Sequence, residues 1–332
     1  MARHSRTTIA EVAALAGVSR TTVSHVLSGN RPVAASTRER VERSIDELRF
    51  RPNGLARSLR TRRSDTIALI IPDITNPFYP VLARGLDDAV SGRYRTYVCN
   101  TDAVRERELE FVADVSDRHV DGVVIVPFQI GATDLSHILD LGMPVVCLGS
   151  RVDDPRVDVV LTDDEHGAFE ATQHLILRGH VRIGMIGGAE GTDLQRGNGY
   201  RRALEASRIR YEPDLTADGA WTRSGGSHAM RALLALPEPP TAVFSANDLM
   251  AIGAMDAARE ARLSIPTDLA LVGYDDIEAA ALVSPPLTTI VNPAYDAGRV
   301  AGRLLAERIG GGYTGERREV VLHSRLVDRG ST

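Results

Sequence analysis

The sequence contains no lysine, few aromatic residues and only two cysteines. All 39 of its strongly basic side chains, among 332 residues, are therefore arginines. Cys99 and Cys147 lie in apolar, strand-like runs, so we interpret them as small buried side chains and not as a disulfide or a metal site. No apolar run approaches the ~18 residues that a membrane-spanning helix needs, and the N-terminus lacks the apolar core of a secretory signal. We expect a protein of the cytoplasm.

Charge is distributed unevenly along the chain. Residues 1–64 hold 13 arginines and 5 acidic residues, a net charge of +8. The remainder holds 26 arginines and 39 acidic residues, a net charge of −13, so the overall value of −5 conceals the contrast. A basic segment fused to an acidic body is typical of a DNA-binding domain attached to a second function.

Two helices separated by a short turn are predicted near the start of the chain. Thr8 and Glu11 have the spacing of a capping box, in which each side chain satisfies a free N–H group at a helix start. Gly17 ends this helix, and Ser19 can cap a second one over Arg20–Leu27. A helix, a glycine-containing turn and a second helix form the helix-turn-helix pattern, whose second helix enters the major groove of DNA.

The second helix has one apolar face, formed by Val23, Val26 and Leu27, and one polar face. From the polar face we predict that Arg20 contacts guanine with two hydrogen bonds, and that base edges are also reached by Thr21 and His25. Contacts to DNA phosphates position a protein without reading sequence. We predict them for hydroxyl and amide side chains nearby, namely Thr8, Ser19, Thr22, Ser24, Asn30 and Thr37.

Three sequence motifs occur in a fixed order in the first sixty residues. They read A-G-V-S-x-x-T-V-S-x-V-L over Ala16–Leu27, V-x-x-x-T-R-x-x-V over Val33–Val41, and R-P-N-x-x-A-x-x-L over Arg51–Leu59. In these motifs the chain resembles the LacI/GalR family of bacterial transcription regulators. The resemblance implies a DNA-binding regulator that responds to a ligand by allostery, most often a repressor.

A third helix should close the core of this head, because Val41, Ile45 and Leu48 recur at helical spacing. Ser36 and Glu39 can form its capping box. The family usually caps this helix two residues earlier, where this chain has Ala34. The helix therefore either starts late or starts without its usual cap.

A short hinge helix is predicted after Pro52. Asn53 can cap it, but a helix of about eight residues is too short to be stable alone, and Gly54 weakens it further. We therefore expect it to form only on DNA. By the resemblance, Leu59 would wedge into the minor groove and Ala56 would allow close approach. The alternative is a flexible arginine-rich linker. The predicted hinge and minor-groove contacts are Asn53, Ala56, Arg57 and Leu59.

From Asp65 onward, short β-branched runs alternate with amphipathic runs of helix length. This alternation predicts βαβ units and parallel sheet, so the fold class is an all-α head followed by an α/β core. The resemblance implies a periplasmic-binding-protein-like core of two Rossmann-like subdomains with a cleft between them. The predicted strands are Thr66–Ile71, Arg95–Cys99, Gly122–Val126, Pro144–Leu148, Val157–Leu161, Arg182–Ile186, Ala242–Ser245 and Leu269–Val272.

We predict a DNA-binding domain at 1–52, a hinge helix and linker at 53–64, and an effector-binding and dimerisation core at 65–332. By the resemblance, lobe 1 comprises 65–162 and 292–322, and lobe 2 comprises 163–291 and 323–332. The chain would then cross between the lobes near Thr162, Val291 and His323. Because no heptad repeat precedes Thr332, we expect a homodimer and not a tetramer joined by its tails.

Ligands of open α/β sheets bind beyond the carboxyl ends of the strands. Polar and aromatic side chains that follow predicted strands suit a ligand rich in hydroxyl groups, such as a sugar. The effector-binding candidates are Asn76, Phe78, Tyr79, Asp102, Gln129, Thr192, Arg196, Trp221, Asn247 and Asp275. The resemblance places Arg196 and Asp275 at ligand-gripping positions and Trp221 at a stacking position.

Some interpretations stay open. Phe78 can belong to the core or to the cleft, and a purine held between aromatic rings is an alternative to a sugar. Asp248 is interpreted as structural, a carboxylate capping a helix over Leu249–Arg262. We expect no metal, no cofactor and no catalysis, because the histidines lack ligand spacing and the glycines near Gly184 lack the dinucleotide-binding spacing. The alternatives to a regulator are a solute-binding module without a DNA role and a Rossmann-type enzyme.

Overall fold

A computed structural model describes residues 7–28, 31–50, 63–118, 120–188 and 194–332. The chain forms two compact units, Met1–Ser64 and Asp65–Thr332. Six of the candidate residues lie outside the described residues: Asn30, Asn53, Ala56, Arg57, Leu59 and Thr192.

In the first unit, described helices pack around a small apolar core: α1 (Ile9–Ala16), α2 (Arg20–Ser28) and α3 (Ala35–Glu47). The predicted capping box is confirmed, because the Glu11 carboxylate accepts the N–H of Thr8 at 2.7 Å and the Thr8 hydroxyl accepts the N–H of Glu11 at 3.4 Å. Gly17 ends α1 in the left-handed conformation, with φ of 64°, which glycine adopts without strain.

Helix α3 begins without a side-chain cap. Ala34 stands at the capping position and offers no hydrogen bond to the first turn. The predicted capping box of Ser36 and Glu39 is wrong, because the helix has already begun at Ala35. The apolar spacing predicted for this helix is borne out, with Val41 fully buried.

In the second unit, the described strands form two six-stranded sheets. We call the parts of the unit built on them lobe 1 and lobe 2. The strands of lobe 1 are β1 (Thr66–Ile71), β2 (Arg95–Asn100), β3 (Gly122–Ile125), β4 (Val145–Leu148), β5 (Val157–Thr162) and β11 (Glu319–Leu322). The strands of lobe 2 are β6 (Ile183–Gly187), β7 (Thr216–Asp218), β8 (Ala242–Ser245), β9 (Ala270–Asp275), β10 (Thr288–Val291) and β12 (Arg325–Val327).

The sheet of lobe 1 has the order β11-β5-β4-β3-β1-β2, and its neighbouring strands are parallel. The sheet of lobe 2 has the order β12-β10-β9-β8-β6-β7 and is parallel except for the pairing of β10 with β12. All eight predicted strands are present, and the predicted α/β class is confirmed. Strands β7, β10, β11 and β12 were not predicted.

Helices cover these sheets. Those of lobe 1 are α4 (Phe78–Val90), α5 (Arg105–Asp117), α6 (Ala132–Asp140) and α12 (Ala294–Ile309). Those of lobe 2 are α7 (Asp164–Leu177), α8 (Leu194–Ala206), α9 (Arg223–Leu234), α10 (Asp248–Glu260) and α11 (Glu278–Leu282). None of the described helices is long and apolar enough to cross a membrane.

Lobe 1 has a layer of helices on each face of its sheet. Along β1, Ile67 and Leu69 pack in one cluster with α4 and α12, whereas Ala68 and Ile70 pack in another with α5 and α6. All six residues of β1 are buried, as expected for a central strand of a parallel sheet covered on both faces.

Helices α4 and α12 approach closely through two glycines. A methyl group at Gly85 of α4 would collide with the carbonyl of Tyr295. A methyl group at Gly298 of α12 would collide with the carbonyl of Leu82. The backbones of the two helices are therefore in direct contact, and lobe 1 is completed by a helix that lies more than two hundred residues later in the chain.

A buried ion cluster holds β5, α12 and β11 together in lobe 1. Asp158 has no exposed surface, and its two oxygens accept hydrogen bonds from Arg308 at 2.6 and 2.7 Å. Arg318 adds hydrogen bonds to the same carboxylate from its side chain and from its backbone N–H at 2.8 Å. Burial raises the pKa of Asp158, but these hydrogen bonds outweigh burial and the pKa lies below its ordinary value.

The chain passes between the two lobes three times: from β5 to α7, from β10 to α12 and from β11 to β12. Asp163 connects the first and third of these crossovers. Its carboxylate accepts the backbone N–H of Ser324 at 2.6 Å and the Ser324 hydroxyl at 2.5 Å, and it lies 2.9 Å from Nδ1 of His323.

The two cysteines are free thiols, Cys147 buried and Cys99 half-buried, which agrees with the prediction for Cys147 more fully than for Cys99. Burial raises the pKa of both thiols, to about 12 for Cys147. The described residues contain no group of three or more histidine, cysteine or acidic side chains arranged to hold a metal ion.

Candidate functional site

The outer side of α2 carries the predicted base contacts of the first unit. Arg20 and Thr21 are exposed, whereas Val23 is fully buried in the core of the unit. Ser24 and His25 are half-buried. The first turn of α2 is therefore more exposed to solvent than its middle. The long side chain of Arg20 places its guanidinium donors where a base edge can reach them.

Three of the hydroxyl groups proposed for phosphate contacts, those of Thr8, Ser19 and Thr22, already have local partners. The Ser19 hydroxyl accepts the N–H of Thr22 at 3.1 Å and lies 2.9 Å from the Thr22 hydroxyl, so Ser19 caps α2 as predicted. Thr8 belongs to the capping box of α1, and Thr37 is half-buried in the first turn of α3. If these groups contact a phosphate, they do so in addition to stabilising the starts of helices.

Arg196 is the centre of a polar cluster in the second unit. It lies in the first turn of α8 and is only 9% exposed. Its guanidinium donates to the carbonyl of Ala246 and lies 3.6 Å from Oδ2 of Asp164 and 3.7 Å from Oδ1 of Asp275. The guanidinium carbon is 3.8 Å from the centre of the Tyr274 ring, a cation–π contact.

Asp275 is the last residue of β9 and faces Arg196 at the carboxyl end of this strand. Burial raises the pKa of Asp275 to about 6, against the opposing effects of Arg196 and of a hydrogen bond from Nδ2 of Asn292 at 3.1 Å. Oδ1 of Asn292 is buried without a hydrogen-bond partner. A buried carboxylate beside an unsatisfied amide oxygen favours a ligand that donates hydroxyl protons.

Tyr79 of lobe 1 lies near enough to this cluster for the cluster's charges to affect its hydroxyl group. Burial raises the pKa of Tyr79 above its ordinary value, and the charge of Asp275 raises it further while Arg196 opposes both. The Tyr79 ring contacts the Phe78 ring edge to face, with ring centres 5.3 Å apart, and both side chains pack against the core of lobe 1. Phe78 therefore contributes to the core of lobe 1, and so does Tyr79.

Trp221 follows β7 and adds an aromatic ring beside the cluster. Its backbone is in the left-handed region, with φ of 59°, and the indole lies so close to Gly188 that a side chain there would collide with it. The ring centre lies 5.7 Å from the guanidinium carbon of Arg196 and 6.4 Å from the ring centre of Phe128. Phe128 belongs to lobe 1, so this aromatic contact spans the two lobes.

Asp102 and Gln129 have described hydrogen bonds only to their own lobe. Asp102 accepts a hydrogen bond from the Asn100 amide at 2.5 Å and forms an ion pair with Arg107. The Gln129 side chain donates to the carbonyl of Ala103 at 2.6 Å. Both side chains thus fix loops of lobe 1, and the described contacts do not bring them to Arg196.

Two further candidates act at helix starts. Asn76 accepts the N–H of Phe78 at 3.0 Å, just before α4. Asn247 caps α10 by accepting the N–H of Met250 at 2.8 Å, and its amide also donates to the carbonyl of Trp221 at 3.3 Å. Asn247 therefore positions the backbone of Trp221.

Asp248 is structural, but the predicted reason is wrong. The cap of α10 is Asn247, and the helix runs over Asp248–Glu260 instead of Leu249–Arg262. The buried Asp248 carboxylate accepts the N–H of Ile277 at 2.9 Å and the hydroxyl of Thr289 at 2.6 Å. It therefore connects the loop that follows Asp275, the last residue of β9, to β10.

Sequence reasoning missed two members of the cluster, Asp164 and Asn292. Asp164 accepts hydrogen bonds from the hydroxyls of Tyr274 at 2.9 Å and Thr162 at 2.7 Å, and Asn292 contacts Asp275. Both follow strands, β5 and β10, at crossovers between the lobes. The strand-end rule would have found Asp164 had it been applied to β5.

Comparisons with known proteins identify both units. Residues 8–53 match the family described as bacterial regulatory proteins, lacI family, and residues 172–332 match a periplasmic binding protein-like domain. The HTH-type transcriptional repressor PurR of Aliivibrio salmonicida is 33% identical over 328 residues, which cover 98% of each chain.

Two solved structures extend these matches. The complex of the transcriptional regulator CelR with cellobiose is 36% identical, has a TM-score of 0.74 and covers 98% of this chain and 100% of the other. The Lac repressor dimer bound to operator and an anti-inducer is 26% identical, has a TM-score of 0.86 and covers 98% of this chain and 99% of the other. With the helix-turn-helix unit, the two-lobed core and these relatives, the chain belongs to the LacI family of bacterial regulatory proteins, and it is a transcription regulator and not an enzyme.

Proposed function

We propose that this protein is a transcriptional repressor that binds a pseudo-palindromic operator as a homodimer and takes a sugar or sugar derivative beside Arg196. The observation that carries the proposal is the position of the residues around Arg196. Asp164 follows the first crossover between the lobes, and Asn292 lies in the second. A ligand gripped by this cluster would contact the segments about which the two lobes can turn.

The chemistry of the cluster favours a neutral, hydroxyl-rich ligand. Two carboxylates, Asp164 and Asp275, lie within 4 Å of one guanidinium, so an added anion would meet a net negative charge. The unsatisfied amide oxygen of Asn292 accepts and cannot donate a proton. The CelR structure holds cellobiose, a neutral ligand of this class. A purine offers fewer donor groups to these acceptors.

Control of DNA binding would pass from the cleft to the segment before the core. A ligand can shift the lobes only if it binds one arrangement more tightly than the other. We propose that this shift sets the spacing of two hinge segments, 53–64, in a dimer and so favours or disfavours their helical form. Leu59 would then enter the minor groove, and the repressor would be found on the nucleoid when bound.

DNA contacts of the first unit follow from α2. Arg20 and Thr21 would contact base edges, and the net charge of +8 over residues 1–64 would attract phosphates. A solute-binding module is the second candidate, since lobes of this kind suffice for it. The basic first unit and its match to the lacI-family model favour the repressor.

The test is binding of the full chain to a fluorescent palindromic duplex, measured by anisotropy at 50–300 mM salt, with and without cellobiose or ribose. We expect affinity to fall steeply with salt, because bound arginines release counterions from the DNA. We also expect one sugar to change the affinity in the wild type and not in Arg196→Ala. If the protein does not bind the duplex under any of these conditions, the repressor proposal is wrong and the solute-binding module is the remaining candidate.

The proposed hinge is tested by Leu59→Ala. We expect this variant to lose affinity for the palindromic duplex while its thermal stabilisation by a sugar stays unchanged. Retained operator affinity would reduce Leu59 to a linker residue.

A further inference from the structure

Glu108 is a buried carboxylate that does not contact the cluster around Arg196. It lies on α5 of lobe 1 and has no exposed surface. Its two oxygens accept the backbone N–H groups of Phe128 and Gln129, each at 2.8 Å. A carboxylate that receives two successive N–H groups fixes the orientation of the peptide between them, because both bonds must be satisfied at once.

The loop that contains Phe128 is held at further points. Arg105 donates to the carbonyl of Gln129 at 2.5 Å and to Oδ1 of Asp134 at 2.7 Å. The other oxygen of Asp134 accepts the N–H of Gly131 at 2.9 Å. Polar groups of α5 and α6 therefore hold the backbone from Phe128 to Gly131, which fixes the direction of the Cα–Cβ bond of Phe128.

The Phe128 ring meets Trp221 of lobe 2. The ring centres are 6.4 Å apart and the planes are inclined at 73°, an edge-to-face arrangement. The Trp221 ring also lies 5.7 Å from the guanidinium carbon of Arg196. One aromatic ring from each lobe thus forms an apolar wall beside the polar cluster.

We propose that Phe128 is a specificity-determining residue of the ligand cleft and that Glu108 is its positioning residue. The inference rests on the proposed function, since it assumes a ligand beside Arg196. Such a ligand must offer an apolar ring face to Phe128 and Trp221 and hydroxyl donors to Asp275. A cyclic sugar has both. An acyclic polyol has the donors without the ring face, and a purine has the face with few donors.

Fluorescence tests the positioning role without any ligand. Trp221 is the single tryptophan of the chain, so tryptophan emission of the full-length protein reports its environment directly. We expect Phe128→Ala and Glu108→Gln to shift the emission maximum in the same direction, because each exposes the indole to water. Glu110→Gln, at an exposed position of the same helix, is the matched control and should leave the emission unchanged.

Two outcomes of this experiment would overturn the proposal. Unchanged emission in Phe128→Ala would mean that the two rings do not meet in solution. If Glu108→Gln and Glu110→Gln have the same emission maximum, Glu108 does not position Phe128. Phe128→Leu keeps most of the apolar volume and guards against a folding defect in the alanine variant; circular dichroism of every variant verifies the fold.

Ligand selectivity tests the specificity role. Affinities for cellobiose, ribose, sorbitol and adenine are measured by calorimetry on the wild type, Phe128→Ala and Glu108→Gln. We expect both variants to lose about 2- to 10-fold in affinity for the cyclic sugar that binds, the value of one aromatic contact, and to keep their affinity for sorbitol. An equal loss for sorbitol would overturn the specificity role. If the wild type binds none of the four, the sugar proposal fails, whereas the emission experiment still decides whether Glu108 positions Phe128.

Discussion

Asp163 and Ser324 join two crossovers of the chain between the lobes, because the Asp163 carboxylate accepts the Ser324 backbone N–H at 2.6 Å. The residue after Asp163 is Asp164, which belongs to the cluster around Arg196. The same short segment therefore carries a bond between crossovers and one side of the proposed ligand site. A movement of the lobes that changes the angle of this segment also moves a carboxylate of that proposed site.

Removal of this connection should weaken both stability and response. We expect Asp163→Ala to lower the free energy of unfolding by about 1–3 kcal/mol, since the buried N–H of Ser324 loses its acceptor. Ser324→Ala removes only the hydroxyl and should cost about 1 kcal/mol. Urea unfolding measures both values, and operator anisotropy with a sugar measures the response. Equal effects of the two variants would show that the backbone bond contributes little.

Asp158 provides a prediction about acid stability. Asp158→Asn leaves Arg308 and Arg318 without their buried partner and should cost about 3–5 kcal/mol. Because hydrogen bonding keeps the pKa of Asp158 below its ordinary value, its stabilisation is complete above the ordinary range and is lost as pH falls through the lowered pKa. Unfolding should therefore depend less on acid in Asp158→Asn. Asp153→Asn, in an exposed loop of the same lobe, is the control and should behave as the wild type.

Asp275 should show the opposite dependence on pH. Its pKa is raised by burial from 3.8 to about 6, so between these values the folded protein retains a proton that the unfolded chain has lost. Stability therefore falls as pH rises through this window. Asp275→Asn should abolish this part of the pH dependence, which urea unfolding at pH 4.5–7.5 measures. The same variant should lose about 10- to 100-fold in sugar affinity, because a charged acceptor is removed.

Arg20 should discriminate between DNA sequences more than it adds to general DNA affinity. We expect Arg20→Ala to lose about 1–3 kcal/mol on the operator, the value of a bidentate contact to guanine. Arg20→Lys keeps the charge but not the planar fork, so it should retain binding to random DNA and lose most of the discrimination. Competition anisotropy with both duplexes gives the ratio. A lysine variant with full discrimination would assign Arg20 to phosphate contacts.

The fold could be predicted from the sequence wherever apolar runs were long enough to show a period. The buried strand Thr66–Ile71 was predicted with the bounds that the structure has. Strands β7 and β12 have three residues each, too few to carry a pattern, and β11 is partly exposed at the sheet edge. The start of α3 remained open because local spacing allowed two starts, and the helix begins at Ala35 without a side-chain cap.

The candidate site could be predicted in part. Arg196, Trp221 and Asp275 were predicted from motifs and strand ends, and the structure brings them together. Asn292 was missed because it follows β10, a strand that was not predicted. Phe128 was missed because its importance comes from its contact with Trp221 of the other lobe, which local sequence does not reveal. Asp102 and Gln129 were predicted by the same strand-end rule, yet their described hydrogen bonds fix loops within lobe 1.

The close contact of α4 with α12 has a consequence for synthesis of the protein. The face of β1 that carries Ile67 and Leu69 is covered partly by α12, which ends at Ile309. When the nascent chain has been synthesised as far as β5, this helix has not yet been made. An apolar face of lobe 1 therefore stays uncovered until the residues between β5 and α12 have emerged from the ribosome. The lobe encoded first is thus completed among the last, and its unfinished face is where chaperone binding during translation should concentrate.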